Sequence, residues 1–278
     1  YNPNGDSIWT RLIETSSGNG YEDLYAMAFD NSKNILVTGE CDNLDIPVVK
    51  YDSAGNLKWM RIFYGAQLIY DYTNCVAADK SGNVYAAGKS RVSQYGDQFT
   101  VIKYNSAGVQ KWVRSYGVQL FDNYDEAKDI EIDAAGFIYV TGTSYSRFNS
   151  STDLFTVKLD SGGNQIWYST FNSSAGVNEK ANALAVDNSG YVYITGTSQI
   201  FSGHSNYLTV KLNTAGGIMW SAVYNGPGNG GDYSYDIEAD NSGNVYITGQ
   251  SSGAGTQDDI ATIKYNSSGT QQWLHRYN

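Results

Sequence analysis

An all-β fold, a β-propeller built from four-stranded antiparallel blades, is predicted by three observations: evenly spaced tryptophans, a hairpin motif that recurs five times, and no segment with a helical period. Tryptophan stands at Trp9, Trp59, Trp112, Trp167, Trp220 and Trp273, each four residues after a glycine, so the chain is a tandem array with a period of about 53 residues. Alignment on the tryptophans gives one domain over 1–278 with units at 21–64, 70–116, 124–171, 178–224 and 232–278; residues 1–13, containing NGDSIWTRL, are an orphan outer strand.

Each unit reads the same way. A first strand ends in aspartate, as in LYAMAFD, NCVAAD, DIEID, ALAVD and DIEAD. A tight turn of the DNSGN kind follows, where Asp and Asn bond their own backbone and Gly takes positive φ. The second strand alternates β-branched and aromatic residues with small ones: ILVTG, VYAAG, IYVTG, VYITG, VYITG. A loop of variable length leads to a third strand, VVKYD, TVIKYN, TVKLD, TVKLN or TIKYN, and a second short turn leads to the Trp strand.

A chain of 278 residues is long for one average domain, yet closed β architectures commonly reach this size, and three prolines with thirty glycines suit many turns. The net charge of -10 argues against nucleic acid, whose phosphates need Lys and Arg. Nothing approaches eighteen consecutive apolar residues, so no membrane insertion is expected. The chain begins at Tyr1 without a methionine or signal segment, as a processed or trimmed product would. Cys41 and Cys75 form no metal signature; they read either as a disulfide between neighbouring blades or, preferably, as two unpaired small core residues.

At DKSGNVYAAG, DNSGYVYITG, DNSGNVYITG and TVIKYNSAGVQKW the chain resembles the bacterial SBBP repeats, named for seven-bladed propellers, over nearly its whole length. The same hairpin is similar to NHL repeats. The resemblance implies an exported bacterial protein, extracellular or at the cell surface, of a family with no common enzymatic activity. Blade number departs from the family name: five units and one extra Trp strand fall short of seven blades. A closed five-bladed ring with a surplus N-terminal strand is the favoured expectation, with six blades or a strand-exchanged assembly as alternatives. The surplus strand either joins the outer edge, displaces the C-terminal strand, or pairs with a neighbouring molecule, which would make self-association through edge strands its role.

Propeller geometry separates two faces. The turns within the two hairpins are short and uniform; the loops between second and third strands and between blades are long, unequal and aromatic, and make the candidate binding face. Tyr95, Phe121, Tyr145, Phe148 and Phe201 lie in these loops without equivalents in every unit and are candidate ligand contacts. Eight residues before each strand-ending aspartate stands another acid, Glu22, Asp71, Asp125, Glu179 and Asp232, expected to ring that face. These carboxylates would hold a cation or sugar hydroxyls; the competing reading is structural, as partners of the recurrent Lys50, Lys103, Lys158, Lys211 and Lys264 or as acceptors for backbone N–H groups.

Asp129, Glu131, Asp236 and Glu238 replace small residues on first strands and would line a central channel. As acid-base pairs they would suit a carbohydrate-active enzyme, but a water-filled channel wall is the plainer reading. His204 and His275 belong to no catalytic motif, and no phosphate loop precedes a helix, so neither catalytic residues nor a nucleotide or metal cofactor is expected. The recurrent tryptophans read as packing between blades. The sequence therefore points to a non-enzymatic binding or adhesion module for a glycan or protein, with a self-assembling structural subunit as the alternative.

Overall fold

The computed structural model describes residues 4–13, 22–41, 45–65, 71–90, 97–116, 125–146, 150–174, 176–199, 204–228, 230–255 and 257–278. Its twenty strands form five four-stranded antiparallel sheets, each ordered as in the chain. Blade 1 comprises β1 (Asp23–Phe29), β2 (Ile35–Glu40), β3 (Ile46–Tyr51) and β4 (Leu57–Phe63); blade 2 comprises β5 (Tyr72–Ala78), β6 (Val84–Ser90), β7 (Gln98–Tyr104) and β8 (Gln110–Tyr116). Blade 3 runs β9 (Glu126–Ile132), β10 (Ile138–Ser146), β11 (Ser151–Leu159) and β12 (Gln165–Phe171), and blade 4 runs β13 (Asn178–Val186), β14 (Val192–Gln199), β15 (Ser205–Leu212) and β16 (Ile218–Tyr224). Blade 5 runs β17 (Asp232–Ala239), β18 (Val245–Ser252), β19 (Asp258–Tyr265) and β20 (Gln271–Tyr277). The propeller predicted from the repeat, with five blades, is the fold observed.

The strand-ending aspartate builds the first hairpin. Asp79 accepts the backbone N–H groups of Ser81 and Asn83 at 2.9 and 3.0 Å, the Asn83 amide at 2.7 Å and the Tyr85 hydroxyl at 3.0 Å. Asp240 does the same with Ser242, Asn244 and Tyr246, and these bonds, the Asn244 amide first, hold its carboxyl down at about 2. In blade 1 Leu36 replaces the tyrosine, and the buried Lys50 takes its place as the carboxylate's partner, 2.7 Å from Asp30. In the other blades the recurrent lysine lies over the tyrosine ring, as Lys103 does 4.9 Å from the centre of Tyr85.

Every first strand carries a bulge, for example between Thr73 and Cys75. The bulge brings the Tyr72 carbonyl against Gly88, so a side chain there would overlap that oxygen; Gly39, Gly142, Gly196 and Gly249 stand at the same point. This explains the glycine that ends ITG, VTG and AAG.

Blades stack through two faces. The leading face of a blade comes from its second and third strands; the trailing face of the next blade centres on its first strand. Phe99 and Val101 of blade 2 thus pack on Ala127 and Ile130 of blade 3. Four apolar cores lie at the junctions 1–2, 2–3, 3–4 and 4–5. At each of these junctions a tryptophan crosses: the Trp59 ring covers Gly108, whose added Cβ would lie 2.7 Å from it, and its Nε1 donates to the Ser106 carbonyl at 3.1 Å. Trp112, Trp167 and Trp220 repeat this on Gly163, Gly216 and Gly269.

Two expectations are corrected. The ring is not closed: among the described residues no apolar core joins blade 5 to blade 1, and both end faces meet solvent. The N-terminal segment, in its described part, belongs to none of the five sheets. Instead Trp9 covers Gly55 and donates to the Ser53 carbonyl at 3.3 Å, while Arg11 Nε donates to the Gly55 carbonyl at 2.7 Å. Arg61 makes the same bond to Gly108, also at 2.7 Å, so this segment copies the outer strand of a blade preceding blade 1. The Gly55 turn, the seat equivalent to the one each interblade tryptophan covers, is thus taken by Trp9. Cys41 and Cys75 are both buried and unbridged; burial pushes the Cys75 thiol well up.

Candidate functional site

Four of the five acids expected to ring the variable face are buried in the chain, and three of them accept backbone N–H groups. Asp71, Asp125, Glu179 and Asp232 are buried. Asp232 accepts Gly226 N–H at 2.7 Å, Ser252 N–H at 3.1 Å and the Ser251 hydroxyl at 2.5 Å. Asp125 accepts Tyr145 N–H at 3.1 Å, Glu179 accepts the N–H and hydroxyl of Ser173, and the Asp71 carboxylate lies against Gly65. They tie interblade and second-to-third loops to the blades, because those loops bring backbone N–H groups to the buried strand ends. The recurrent lysines have other acids beside them: Asp30, Asp79, Asp133 and Asp187, strand-ending aspartates of the opposite face, neighbour Lys50, Lys103, Lys158 and Lys211. Glu22 is half-buried.

Of the loop aromatics, Tyr145 is half-buried, and Tyr95, Phe121, Phe148 and Phe201 lie outside the described residues. His204 and His275 are exposed, His275 against the Trp273 ring with centroids 5.1 Å apart. Among the described residues no group of three or more His, Cys, Asp or Glu is placed to hold a metal, and no helix is long and apolar enough to cross a membrane.

Two of the first-strand carboxylates, Asp129 and Glu131, serve the junction between blades 3 and 4. Asp129 of blade 3 accepts Leu184 N–H of blade 4 at 2.8 Å, and Glu131 accepts Val186 N–H at 2.7 Å. A first strand presents its unpaired edge to the channel, and these carboxylates satisfy it from the neighbouring blade. Burial raises Asp129 to about 6 and Glu131 to about 7, against the lowering effect of those same bonds; neighbouring acids, Asp236 and Glu238 among them, add to the rise. Asn74 and Asn182, at the bulges, donate across their junctions to Ala127 and Ser234 carbonyls at 2.8 and 2.7 Å.

The feature not read from the sequence is the pair of open ends. At blade 5 the leading face forms a cleft of about 530 Å³ lined by Tyr235, Thr248, Gln250, Asp258, Asp259 and Ile260. Ile260 is 56% exposed, while the residues at its position in the other blades, Ile46, Phe99, Leu154 and Tyr207, are 0–1% exposed. At blade 1, Leu24, Met27 and Phe29 are 49, 64 and 59% exposed. The matching Val76, Ile130, Leu184 and Ile237 are buried under the preceding blade. The signal was present in LYAMAFD, whose Leu24 and Phe29 exceed the Thr, Ala or Ser and the mostly smaller residues found at these points elsewhere. Arg276 closes the rim of the cleft, bonded to Asp259 at 2.9 Å and to the Ser251 and Ser252 carbonyls at 3.0 Å.

No family model matches the chain, and no curated protein matches it in sequence. Solved structures do match in fold. A protein of unknown function from Bacteroides caccae superposes with a TM-score of 0.53 at 12% identity, over 97% of this chain and 85% of its own. A protein of unknown function from Dyadobacter fermentans gives 0.58 at 9%, over 88 and 79%. A polysaccharide lyase of family PL25, an ulvan lyase bound to -[GlcA(1-4)Rha3S]-, gives 0.58 at 9%, over 91 and 70%. At such identities the shared property is the β-propeller fold.

Proposed function

We propose that the chain is a non-enzymatic binding or adhesion module, exported to the cell surface as the SBBP-type resemblance implies, whose ligand is a protein. The ligand docks a β-blade, an edge strand carrying aliphatic side chains, against the leading face of blade 5. The cleft around Ile260 carries this reading: it is the same surface that receives a first strand at each of the four internal junctions, here left open. An exposed apolar face of this kind marks a protein contact. The reading takes the protein branch over a glycan because four of the five ring acids are buried, and three of them, Asp125, Glu179 and Asp232, accept backbone N–H groups. It takes binding over catalysis because Asp129 and Glu131, two of the four candidate acids, bond the backbone of a neighbouring blade.

The test compares Ile260→Asp with Tyr145→Ala in pull-downs from cell-surface extract, beside a glycan array. The expected result is protein capture by the wild type and Tyr145→Ala, lost in Ile260→Asp, with a blank array. Capture that survives Ile260→Asp, or a glycan signal lost in Tyr145→Ala, overturns the reading.

A further inference from the structure

The two open ends of this chain fit each other. At the 3–4 junction, Asp129 and Glu131 accept the N–H groups of Leu184 and Val186. Blade 5 repeats that acid pair as Asp236 and Glu238, both exposed at its open end, and Asp236 Oδ1 accepts Ile237 N–H at 3.0 Å as Asp129 Oδ1 accepts Ile130 N–H at 2.8 Å. The positions equivalent to Leu184 and Val186 on blade 1 are Met27 and Phe29, on the strand whose trailing side is exposed. Blades 1, 2 and 4 carry small residues in place of these acids, so the pair stands at one internal junction and at the one open leading face.

The two faces also agree in chemistry. Phe99 packs with Ala127 and Leu154 with Ala181 at internal junctions, and the open ends would oppose Ile260 to Leu24, two aliphatic side chains.

From this we infer that the occupant of the cleft is blade 1 of a second copy of this chain, and that residues 7–11 hold the joint closed until they are displaced. The inference rests on the reading that the cleft takes a protein. Trp273 would take the Gly55 turn of the second copy, which Trp9 now covers in the same pose that Trp59, Trp112, Trp167 and Trp220 adopt on their own targets. Trp9 and the Trp273 of another copy therefore compete for one site. Because the contact joins unlike faces, it propagates into a ring or a chain of copies.

The experiment is light scattering over a concentration series on the wild type, Trp9→Ala, and Trp9→Ala with Ile260→Asp, with thiol labelling of Met27→Cys in the Trp9→Ala background. Arg11→Ala serves as a second way to loosen the segment, and circular dichroism checks that each variant is folded. Loss of one indole hydrogen bond and its ring packing should lower the concentration of half-assembly by about tenfold or more, and Ile260→Asp should abolish assembly. If Trp9→Ala and Arg11→Ala stay monomeric and the thiol introduced by Met27→Cys is freely labelled, the second-copy inference falls while the protein-binding reading stands. If they stay monomeric and that thiol is protected, the chain has closed on itself and both fall.

Discussion

Replacing Gly108 by alanine separates two costs that the fold combines at one residue, when compared with the same change at Gly136. Both glycines sit in hairpin turns at positive φ, 78° and 88°. An alanine at Gly136 meets nothing within 4 Å and incurs only the left-handed backbone conformation, about 1–2 kcal/mol. At Gly108 the added Cβ would lie 2.7 Å from Trp59 Cδ2 and 2.8 Å from Cγ. That ring cannot yield freely: Trp59 is 7% exposed, its Nε1 is bonded to the Ser106 carbonyl at 3.1 Å, and Tyr104 lies 5.9 Å away, centroid to centroid. Overpacking adds about 1–3 kcal/mol and loss of the indole bond about 1 kcal/mol, for a total of roughly 3–6 kcal/mol with the backbone cost. Urea unfolding followed by tryptophan fluorescence and by far-ultraviolet dichroism gives both values. Equal destabilisation of the two variants within about 0.5 kcal/mol would refute the assignment of Gly108 to the interblade tryptophan seat.

Lys33 occupies a turn position at φ 61° that the other four units give to glycine, so Lys33→Gly should stabilise the protein by about 1 kcal/mol; an unchanged or lowered melting temperature would contradict this. Glu131, raised by burial from 4.5 to about 7, keeps its proton in the fold at pH values where the unfolded chain releases it. Its contribution to stability is therefore fullest below pH 4.5 and declines as pH climbs through 7, by up to about 3 kcal/mol. Glu131→Gln can still accept the Val186 N–H, so chemical denaturation across this window should show a flatter profile in the variant; an identical slope would exclude Glu131 as its source.

Repetition made the fold legible. Six tryptophans at even spacing, an aspartate-led turn in each of five units and period-2 strands recur along the chain, and each is a local demand: an aspartate close to the N–H groups it accepts, a glycine where φ is positive. The candidate site was less legible because its residues acquire roles from other blades. Asp129 and Glu131 look like any acid pair at period two, and only the fold sets Leu184 and Val186 N–H against them, 55 residues away. The acids expected to ring the variable face recur once per unit in the sequence, yet the burial of Asp71, Asp125, Glu179 and Asp232 depends on where the loops return.

The sequence by itself determined the blade, its strand order and the glycine-tryptophan pair, because these rest on contacts within one repeat or on a pattern that every repeat shares. The tertiary structure alone decided that the array is left open, that Trp9 sits on the Gly55 turn, and that Ile260 and Met27 face solvent. The reason is physical: an interblade junction is a property of two faces, and a repeat shows that each blade has both faces without showing whether the last one meets the first.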